Sequence, residues 1–252
     1  LAHSALPSRE ALALRVCVSA GEALPAEIGR RFTAHFGVEI LDGIGSTEML
    51  HIFLSNRPGE VRYGSTGKPV PGYQIRLIDD IGREVPPGAI GELQIKGPST
   101  AIMYWNNRAK STTTFIGEWT RTGDQYCADA DGYYTYNGRS DDMLKVSGQY
   151  VSPFEVEAAL MTHAAVLEAA VVGVPDSDNL IKPKAFVVLK PGTAIATDLD
   201  TILKAHVKSR LSPHKYPRWI EFVADLPKTA TGKIQRFRLR LAASADKSSG
   251  LS

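Results

Sequence analysis

The chain has 252 residues, of which 43% are hydrophobic and 22% are charged, with 29 basic residues against 27 acidic ones. These are values of globular proteins with one large domain or two ordinary ones, so they exclude wholesale disorder and collagen-like repeats. Two cysteines, Cys17 and Cys127, give neither a disulfide framework nor a zinc motif, and no apolar run is long enough for a membrane helix.

The first half of the chain is predicted to contain a strand–helix–strand segment followed by antiparallel sheet. Apolar runs at residues 15–20 and 38–41 have strand length, and residues 24–36 between them have helical spacing. From residue 62 to 96, hydrophobic and polar residues alternate between Gly/Pro turns. This pattern predicts antiparallel strands in a small barrel or curled sheet. Residues 107–115 form a further helix candidate.

The second half is predicted to be a compact α+β unit. Apolar spacing predicts helices at residues 153–161 and 198–211, and strands at 166–174, 185–189 and 219–223. The polar segment 138–145 has the composition of a linker, and the polar end of the chain is predicted to be disordered. The predicted division is a first domain at 1–138, a hinge at 139–145, a small domain at 146–243 and a tail at 244–252.

The segment at residues 42–48 (DGIGSTE) combines glycines with oxygen-bearing side chains. Gly43 and Gly45 allow the backbone to approach a ligand closely, and Thr47 and Glu48 place a hydroxyl beside a carboxylate. A triphosphate with Mg²⁺ needs both, because the phosphate takes a donor and the hard cation takes an oxygen ligand. The alternative interpretation is a Gly-rich turn in which Thr47 or Ser46 caps a helix.

Two further charged side chains, Asp124 and Lys233, could contact a ligand. Asp124, in the TGD segment at 122–124, could accept both hydroxyls of a cis-diol, although an Asx-turn is the alternative. Lys233, in PKTATGK at 227–233, could place an ammonium between a carboxylate and a phosphate, where it would relieve their repulsion on a loop expected to be mobile. The alternative is a surface lysine in a basic segment.

That basic segment, residues 204–240, has only Glu221 and Asp225 as acids. It would suit the docking of a polyanion, and it would equally suit a solvated face. Its basic residues are Lys204, Lys208, Arg210, Lys215, Arg218, Lys228, Lys233, Arg236, Arg238 and Arg240.

The ordered set of motifs resembles that of the adenylate-forming acyl-CoA ligases, which join a carboxylic acid to AMP and then to a thiol. The set consists of DGIGSTE, TGD, GRSDDMLK at 138–145 and PKTATGK. Residues 19–24 (SAGEAL) and 41–56 are most similar to the benzoate–CoA ligase branch. The resemblance implies a mixed α/β and α+β fold. The end of a large adenylating domain, with a βαβ segment and a small antiparallel barrel-like sheet, would precede a complete small α+β domain.

The resemblance also implies roles for single residues. Thr47 would contact the α-phosphate, Glu48 would hold Mg²⁺, and Lys233 would bridge the reacting anions. Asp124 and Arg139 would bind the ribose hydroxyls. The remaining residues implied for nucleotide binding are Gly21, Glu22, Ala23 and Asp42.

In the same family the small domain swings between two poses, and Asp141 matches the hinge position. An ordinary solvated linker is the alternative. Ser147 and Gly148 match the segment that lines the pantetheine tunnel in the second pose. The aryl acid would lie against Ala20, Gly45, His51 and Ile52, although a lone histidine such as His51 is more often a satisfied core residue.

One family feature is missing from the sequence. A Ser/Thr/Gly-rich loop ending in Lys normally precedes these motifs and wraps the outer phosphates of ATP. The YGSTGKP segment at 63–69 does not replace it, because Arg62 and Pro69 stand where a phosphate-binding loop needs Gly and Ser/Thr. The chain is therefore interpreted as the C-terminal half of a longer enzyme, inactive by itself.

Together these features predict an ATP-dependent ligase that forms an aryl-adenylate and then an aryl-CoA thioester, with benzoate as the expected acid. The expected cofactors are ATP/AMP, Mg²⁺ and coenzyme A. The expected partners are a small aryl carboxylate and the missing N-terminal half, without nucleic acid or membrane; a homodimer is left open, and the expected location is the cytoplasm. The alternatives are an adenylation domain that loads a carrier protein and a non-catalytic interaction module.

Overall fold

The computed structural model describes residues 6–146, 148–193, 195–230 and 232–248, and only the backbone of residues 244–248. The chain divides between Tyr136 and Asn137 into two compact units. This division falls just before the predicted linker at 138–145. Each unit is described by itself below.

The first unit begins with the predicted strand–helix–strand segment. Strand β1 (Cys17–Ser19) pairs in parallel with β2 (Ile40–Gly45), and helix α1 (Ala26–Phe36) connects them. Strands β3 (Ile52–Ser55) and β4 (Lys68–Pro69) extend this sheet in antiparallel fashion, in the order β1–β2–β3–β4. Because β1 and β2 are parallel, their carboxyl ends lie at the same edge of the sheet.

A second, antiparallel sheet follows in the same unit. Its strands have the order β5–β6–β8–β7, and β9 also pairs with β8. Alternate residues of β6, such as Leu93 and Ile95, are fully buried and pack with Phe53 and Leu54 of β3 in one core. The two sheets of this unit therefore share a core. The elements are β5 (Gln74–Ile78), β6 (Ile90–Lys96), α2 (Arg108–Thr114), β7 (Phe115–Ile116), β8 (Trp119–Ala128) and β9 (Tyr134–Arg139).

The second unit is the α+β unit that the sequence predicts. A hairpin precedes a three-stranded sheet in the order β12–β13–β14, in which β12 and β13 are antiparallel and β13 and β14 are parallel. The elements are β10 (Leu144–Val146), β11 (Gln149–Val151), α3 (Pro153–Met161), β12 (Val166–Pro175), β13 (Ile181–Leu189), α4 (Leu199–Lys208), β14 (Trp219–Phe222) and α5 (Arg236–Ser248).

Both faces of this sheet are covered. Ala169 and Val171 of β12 pack with residues of α3 and α4, whereas Ala170 and Val172 pack on the other face with Leu239 of α5. The period of two along β12 thus places alternate side chains in two separate cores. This explains why the segment is a nearly continuous apolar run rather than an alternating one.

The predicted tail is the one part of the domain division that the structure corrects. Disorder was expected from residue 244, but α5 continues to Ser248. The apolar face of α5, with Leu239 and Ala243 buried, carries the helix past the point where the composition becomes polar. None of the helices among the described residues combines the length and apolarity that a membrane span requires.

Candidate active site

The turn between β2 and β3 carries the residues of the DGIGSTE motif. β2 ends at Gly45, a short 3-10 turn spans Thr47–Met49, and the β2–β3 register shifts between Ile44 and Gly45. A Cβ atom at Gly45 would lie 2.6 Å from the carbonyl oxygen of His51. Only glycine fits this close approach of two backbones, so the motif's second glycine has a steric reason in the structure.

A buried side chain and two hydrogen bonds fix the 3-10 turn. Met49 is fully buried, and the hydroxyl of Ser99 donates a hydrogen bond of 2.6 Å to its carbonyl oxygen. The N–H of Ala101 donates to the carbonyl oxygen of Glu48 at 2.7 Å. The segment after β6 therefore fixes the backbone that presents Thr47 and Glu48.

Glu48 is partly buried and receives a hydrogen bond from a residue that the sequence analysis missed. The phenol of Tyr104 donates to Oε1 of Glu48 at 2.5 Å. Burial alone would raise the pKa of Glu48, but this hydrogen bond, others from the backbone and the nearby charge of Lys110 lower it below its usual value. The carboxylate is thus held in its ionised form, which is the form that a cation requires.

The donor set fits magnesium better than a metal held by the protein alone. Among the described residues there is no group of three or more His, Cys, Asp or Glu side chains arranged to hold a metal. Mg²⁺ typically takes one or two carboxylates and completes its shell with substrate phosphates and water. Ionised Glu48 beside the exposed Thr47 hydroxyl supplies such a partial site. Ser46 precedes the turn but makes no side-chain capping bond to it, so the prediction that Ser46 caps a helix is wrong.

Asp42 is a buried carboxyl with an unsatisfied oxygen. Its side chain is 6% exposed, and its Oδ1 has no hydrogen-bond partner among the described residues. Burial raises its pKa to about 7, although hydrogen bonds from Ser19 and from the backbone of Leu24 and Gly43 oppose the rise. The bond to Leu24 ties Asp42 to the segment that follows β1.

Asp124 lies in a bulge of β8. The β6–β8 register jumps from Glu92–Gln125 to Gln94–Arg121, so residues 122–124 bulge out of the ladder, with Gly123 at a φ of 71°. Glycine is favoured there because positive φ is strained for other residues. The N–H of Asp124 donates to the Thr122 hydroxyl at 3.0 Å.

Asp42 and Asp124 converge on one phenol. Tyr126 is nearly fully buried and shares a hydrogen bond of 3.2 Å with the hydroxyl of Thr66. Burial raises the pKa of Tyr126, and the negative charges of Asp124 and Asp42 raise it further. Two residues that are far apart in sequence are thus brought together beside a neutral phenol.

The remaining first-unit residues lie at the same sheet edge. Ala20, Gly21, Glu22 and Ala23 follow β1 and are exposed. They share the edge with the Thr47–Met49 turn because β1 and β2 are parallel. Gly45 and Ile52 are register partners across β2 and β3, and His51 is exposed, with only a 3.4 Å contact to the carbonyl oxygen of Ile52. The core-histidine alternative is therefore wrong.

The second unit contains the predicted hinge. Arg139 ends β9, and its carbonyl oxygen accepts hydrogen bonds of 3.1 Å from the N–H groups of Asp142 and Met143. Its guanidinium lies 3.8 Å from the carboxylate of Asp141, which is 84% exposed. Asp142 instead pairs with Arg240 of α5 at 2.9 Å. The turn therefore alternates an exposed acid with one tied to the body of the unit.

Of the two predicted CoA-tunnel residues, only one can be described. Gly148 is exposed in the β10–β11 turn with a φ of 82°, and a Cβ atom there would meet no atom within 4 Å. Ser147 lies outside the described residues.

Lys233 lies on a hydrogen-bonded hairpin rather than on the mobile loop expected from its composition. The N–H of Thr229 donates to the carbonyl oxygen of Lys233 at 2.8 Å, and the N–H of Lys233 donates to the Thr229 hydroxyl at 3.0 Å. Lys228 and Ile234, next to Thr229 and Lys233 in the sequence, form an isolated β-bridge. We call residues 227–230 and 232–235 the lysine hairpin. Lys233 itself is exposed at its end.

Many of the positive charges in the basic segment are paired with acidic side chains in the fold. Half of its cations face acids: Lys204 meets Asp200, Lys215 meets Glu155, Lys228 meets Glu168, Arg236 meets Glu157, and Arg240 meets Asp142. All five of these acids lie outside residues 204–240, so counting charges within the segment missed them. Lys208 and Arg218 differ, because they flank the Tyr216 ring at 4.0 Å and 4.8 Å from its centroid.

With this geometry in place, comparison with known proteins defines the class. Residues 1–105 match the model of the AMP-binding enzyme family, and residues 155–233 match the model of the AMP-binding enzyme C-terminal domain. The chain belongs to the AMP-binding enzyme family, as its motifs indicated.

Within this family the chain is similar to particular aryl-CoA ligases. It is 68% identical to the benzoate–CoA ligase of Thauera aromatica, over 96% of this chain and 46% of that protein. It is 57% identical to the 4-hydroxybenzoate–CoA/benzoate–CoA ligase of Rhodopseudomonas palustris, over 93% of this chain and 43% of that protein. The chain therefore spans less than half the length of these relatives.

Comparison with solved structures also finds aryl-CoA ligases. The chain is 67% identical to a benzoate CoA ligase from Burkholderia xenovorans LB400, with a TM-score of 0.87 over 93% of this chain and 47% of that one. The anthranilate CoA ligase AuaEII, solved with anthranoyl-AMP, is 56% identical with a TM-score of 0.86 over 91% of this chain and 45% of that one. The mixed α/β and α+β fold class is thereby confirmed.

Proposed function

We propose that this chain forms the C-terminal half of an ATP-dependent acid–CoA ligase that acts on benzoate or a close aryl carboxylate. The 68% identity to the Thauera aromatica benzoate–CoA ligase, which extends over 96% of the chain, carries the proposal. Since the chain spans 46% of that relative, it would act with a segment equivalent to the relative's first half. Both cysteines are free, which agrees with a cytoplasmic enzyme.

In the first half-reaction, a carboxylate oxygen attacks the α-phosphorus of ATP. An O–P bond forms to give the acyl-adenylate, and the P–O bond to pyrophosphate breaks. Two anions must meet, so the step depends on positive charge placed between them. Exposed Lys233 at the end of its hairpin would supply this charge, and the Thr47 hydroxyl would donate to the α-phosphate.

The ionised Glu48 would hold Mg²⁺, which supplies charge neutralisation on the phosphates when it is bound. The chain's own contribution is to keep the carboxylate charged and oriented. The hydrogen bond from Tyr104 serves this purpose, and so does the fixed backbone of the turn.

The nucleoside would lie beside Asp42 and Asp124. The free Oδ1 of Asp42 could accept a hydrogen bond from the amino group of adenine, which would satisfy a buried atom that otherwise lacks a partner. The Asp124 carboxylate, joined by Arg139, would bind the ribose hydroxyls. Residues 21–23 would border the same ligand because they share the sheet edge with the Thr47–Met49 turn.

In the second half-reaction the CoA thiol attacks the acyl carbon. A C–S bond forms, the C–O bond to AMP breaks, and the thiol proton passes to solvent. We propose that the second unit turns about Asp141 between the half-reactions, which removes Lys233 and brings the Gly148 turn to the acyl group. Lys208 and Arg218, which both contact the Tyr216 ring, would receive the phosphates of CoA.

The acid would lie against the β2–β3 turn. Gly45 has no side chain that could intrude on the acid, and its register partner Ile52 would form an apolar wall. Ala20 lies at the same edge of the sheet. The exposed His51 would set the polarity near the ring or the carboxylate.

The proposal is tested with the completed enzyme, by which we mean this chain fused behind the N-terminal half of the Thauera aromatica relative. Benzoate-dependent ATP–pyrophosphate exchange and benzoyl-CoA formation are measured for the fusion and for the 252-residue chain alone. We expect both activities in the fusion and neither in the chain alone. A folded fusion without benzoate-dependent exchange would contradict the proposal.

The role of Lys233 is tested in the same fusion. Lys233→Ala is expected to lower adenylation by about a thousandfold, since a charge in the transition state is lost. Formation of benzoyl-CoA from supplied benzoyl-adenylate should be spared. Equal loss of both half-reactions would show that Lys233 does not act on adenylation alone.

A further inference from the structure

Helix α5 begins at a buried ion pair, three residues after Lys233. The side chains of Arg236 and Glu157 are 11% and 5% exposed. Nη2 of Arg236 donates to both oxygens of Glu157, at 2.9 Å and 2.8 Å, and the guanidinium lies 4.2 Å from the centroid of the Phe154 ring. The N–H of Val171 donates to the same carboxylate at 2.7 Å. Arg236 is therefore fixed to α3 and, through Glu157, to β12.

Stability alone does not account for this pair. Burial raises the pKa of Glu157 even though the charge of Arg236 opposes the rise, and Nε of Arg236 has no partner among the described residues. Apolar residues of similar volume often stabilise a fold as well as a buried ion pair does, without the cost of desolvating two charges. The pair instead fixes the orientation of the Arg236 side chain, since its hydrogen bonds are directional.

Backbone hydrogen bonds connect Arg236 to Lys233, so the orientation of Arg236 constrains the position of Lys233. The N–H of Arg236 donates to the carbonyl oxygen of Ile234 at 3.2 Å, and the N–H of Gln235 donates to that of Pro227 at 2.8 Å. The cross-bonds between Thr229 and Lys233 then close the end of the hairpin. Little backbone freedom remains between the ion pair and the ammonium.

We propose that Arg236 and Glu157 are positioning residues for Lys233, and that the ion pair orients the lysine hairpin for adenylation. The inference rests on the proposed function. It requires adenylation to depend on the pair, whereas thioester formation, from which Lys233 has withdrawn, does not. A pair that served only stability would affect both half-reactions alike.

The test uses the completed enzyme with the double substitution Glu157→Leu and Arg236→Met. This variant replaces the pair by apolar side chains, so neither charge is left buried alone, although the N–H of Val171 loses its acceptor. The control is Lys184→Met with Glu221→Leu, which removes the 2.8 Å ion pair between β13 and β14, outside the hairpin and α5. Lys233→Ala is measured beside them, and thermal unfolding checks that each variant is folded.

We expect the double variant to lose about 100-fold in adenylation, the size of effect that a displacement of about 1 Å can cause. Its thioester formation from supplied benzoyl-adenylate should stay within about twofold of the parent, as should both half-reactions of the control. Wild-type adenylation in the folded double variant would overturn the inference, and so would parallel loss of both half-reactions. If Lys233→Ala itself leaves adenylation intact, the proposed role of Lys233 fails instead.

Discussion

The buried carboxyl of Asp42 makes a quantitative prediction about stability. Asp42→Asn keeps the shape of the side chain but removes the group that titrates. The structure places this carboxyl at 6% exposure with one oxygen unsatisfied, and burial raises its pKa from 3.8 to about 7. The folded protein therefore disfavours the charged form that the unfolded chain accepts freely.

The sign follows from the direction of the shift. A carboxyl whose pKa is raised by folding contributes its full stability below the unfolded value of 3.8, and this stability is lost as the pH rises towards 7. At 1.36 kcal/mol per pKa unit, the total loss is about 4 kcal/mol. Between pH 5 and pH 8, Asp42→Asn should therefore gain about 2.5 kcal/mol of unfolding free energy relative to the parent.

The assay is urea-induced unfolding of the 252-residue chain at pH 5, 6, 7 and 8. Trp105 and Trp119 lie in the first unit and Trp219 in the second. A Trp219→Phe background therefore makes the fluorescence report on the unit that contains Asp42. Glu60→Gln, at an exposed carboxylate, is the matched control, for which the difference from the parent should stay below about 0.5 kcal/mol.

One result would refute the reasoning. If the difference in unfolding free energy between Asp42→Asn and the parent is the same at all four pH values, burial does not penalise the charge of Asp42. A difference that shrinks as the pH rises would contradict the sign. A constant offset on top of the expected slope would reflect only the changed hydrogen bonding of the amide.

Three further outcomes are expected. Tyr104→Phe removes the donor to Glu48, so in the completed enzyme the Mg²⁺ concentration for half-maximal adenylation should rise about tenfold; an unchanged Mg²⁺ titration would contradict this. Gly45→Ala forces a Cβ atom to 2.6 Å from the backbone of His51, and urea unfolding should show a loss of about 2 kcal/mol; an unshifted midpoint would show that the turn adapts. Glu168→Gln breaks only a partly exposed pair with Lys228, so the same assay should show a loss below about 1 kcal/mol.

Sequence patterns predicted the fold best where local and tertiary preferences agree. Helix α3 spans Pro153–Met161 as predicted, because Ser152 caps it by accepting from the N–H of Glu155 and Pro153 occupies its first turn. The apolar segment at 166–174, interrupted only by Glu168, became β12, which is buried on both faces. In these segments capping, periodicity and burial all favour the same structure.

The prediction was poorer where tertiary structure overrides the local pattern. No strand was predicted around the TGD segment, yet residues 122–124 form a bulge inside the ten-residue strand β8. Polar residues along β8 hide its alternation. Tyr104 gave no signal because its partner Glu48 is 56 residues away. The basic segment appeared unpaired because acids such as Glu157 and Glu168 reach it only in the fold.

The hydrogen bonds of the lysine hairpin constrain how Lys233 could move. A mobile loop would deliver the ammonium by local bending, but Thr229 and Lys233 are bonded to each other through backbone and hydroxyl, and Lys228 and Arg236 are anchored by ion pairs. Bending the hairpin would break several of these bonds together. Under the proposed function, Lys233 would therefore arrive and depart with the second unit as a whole. The torsion would fall on the turn at Asp141, whose side chain is exposed and would stay in solvent as the backbone rotates.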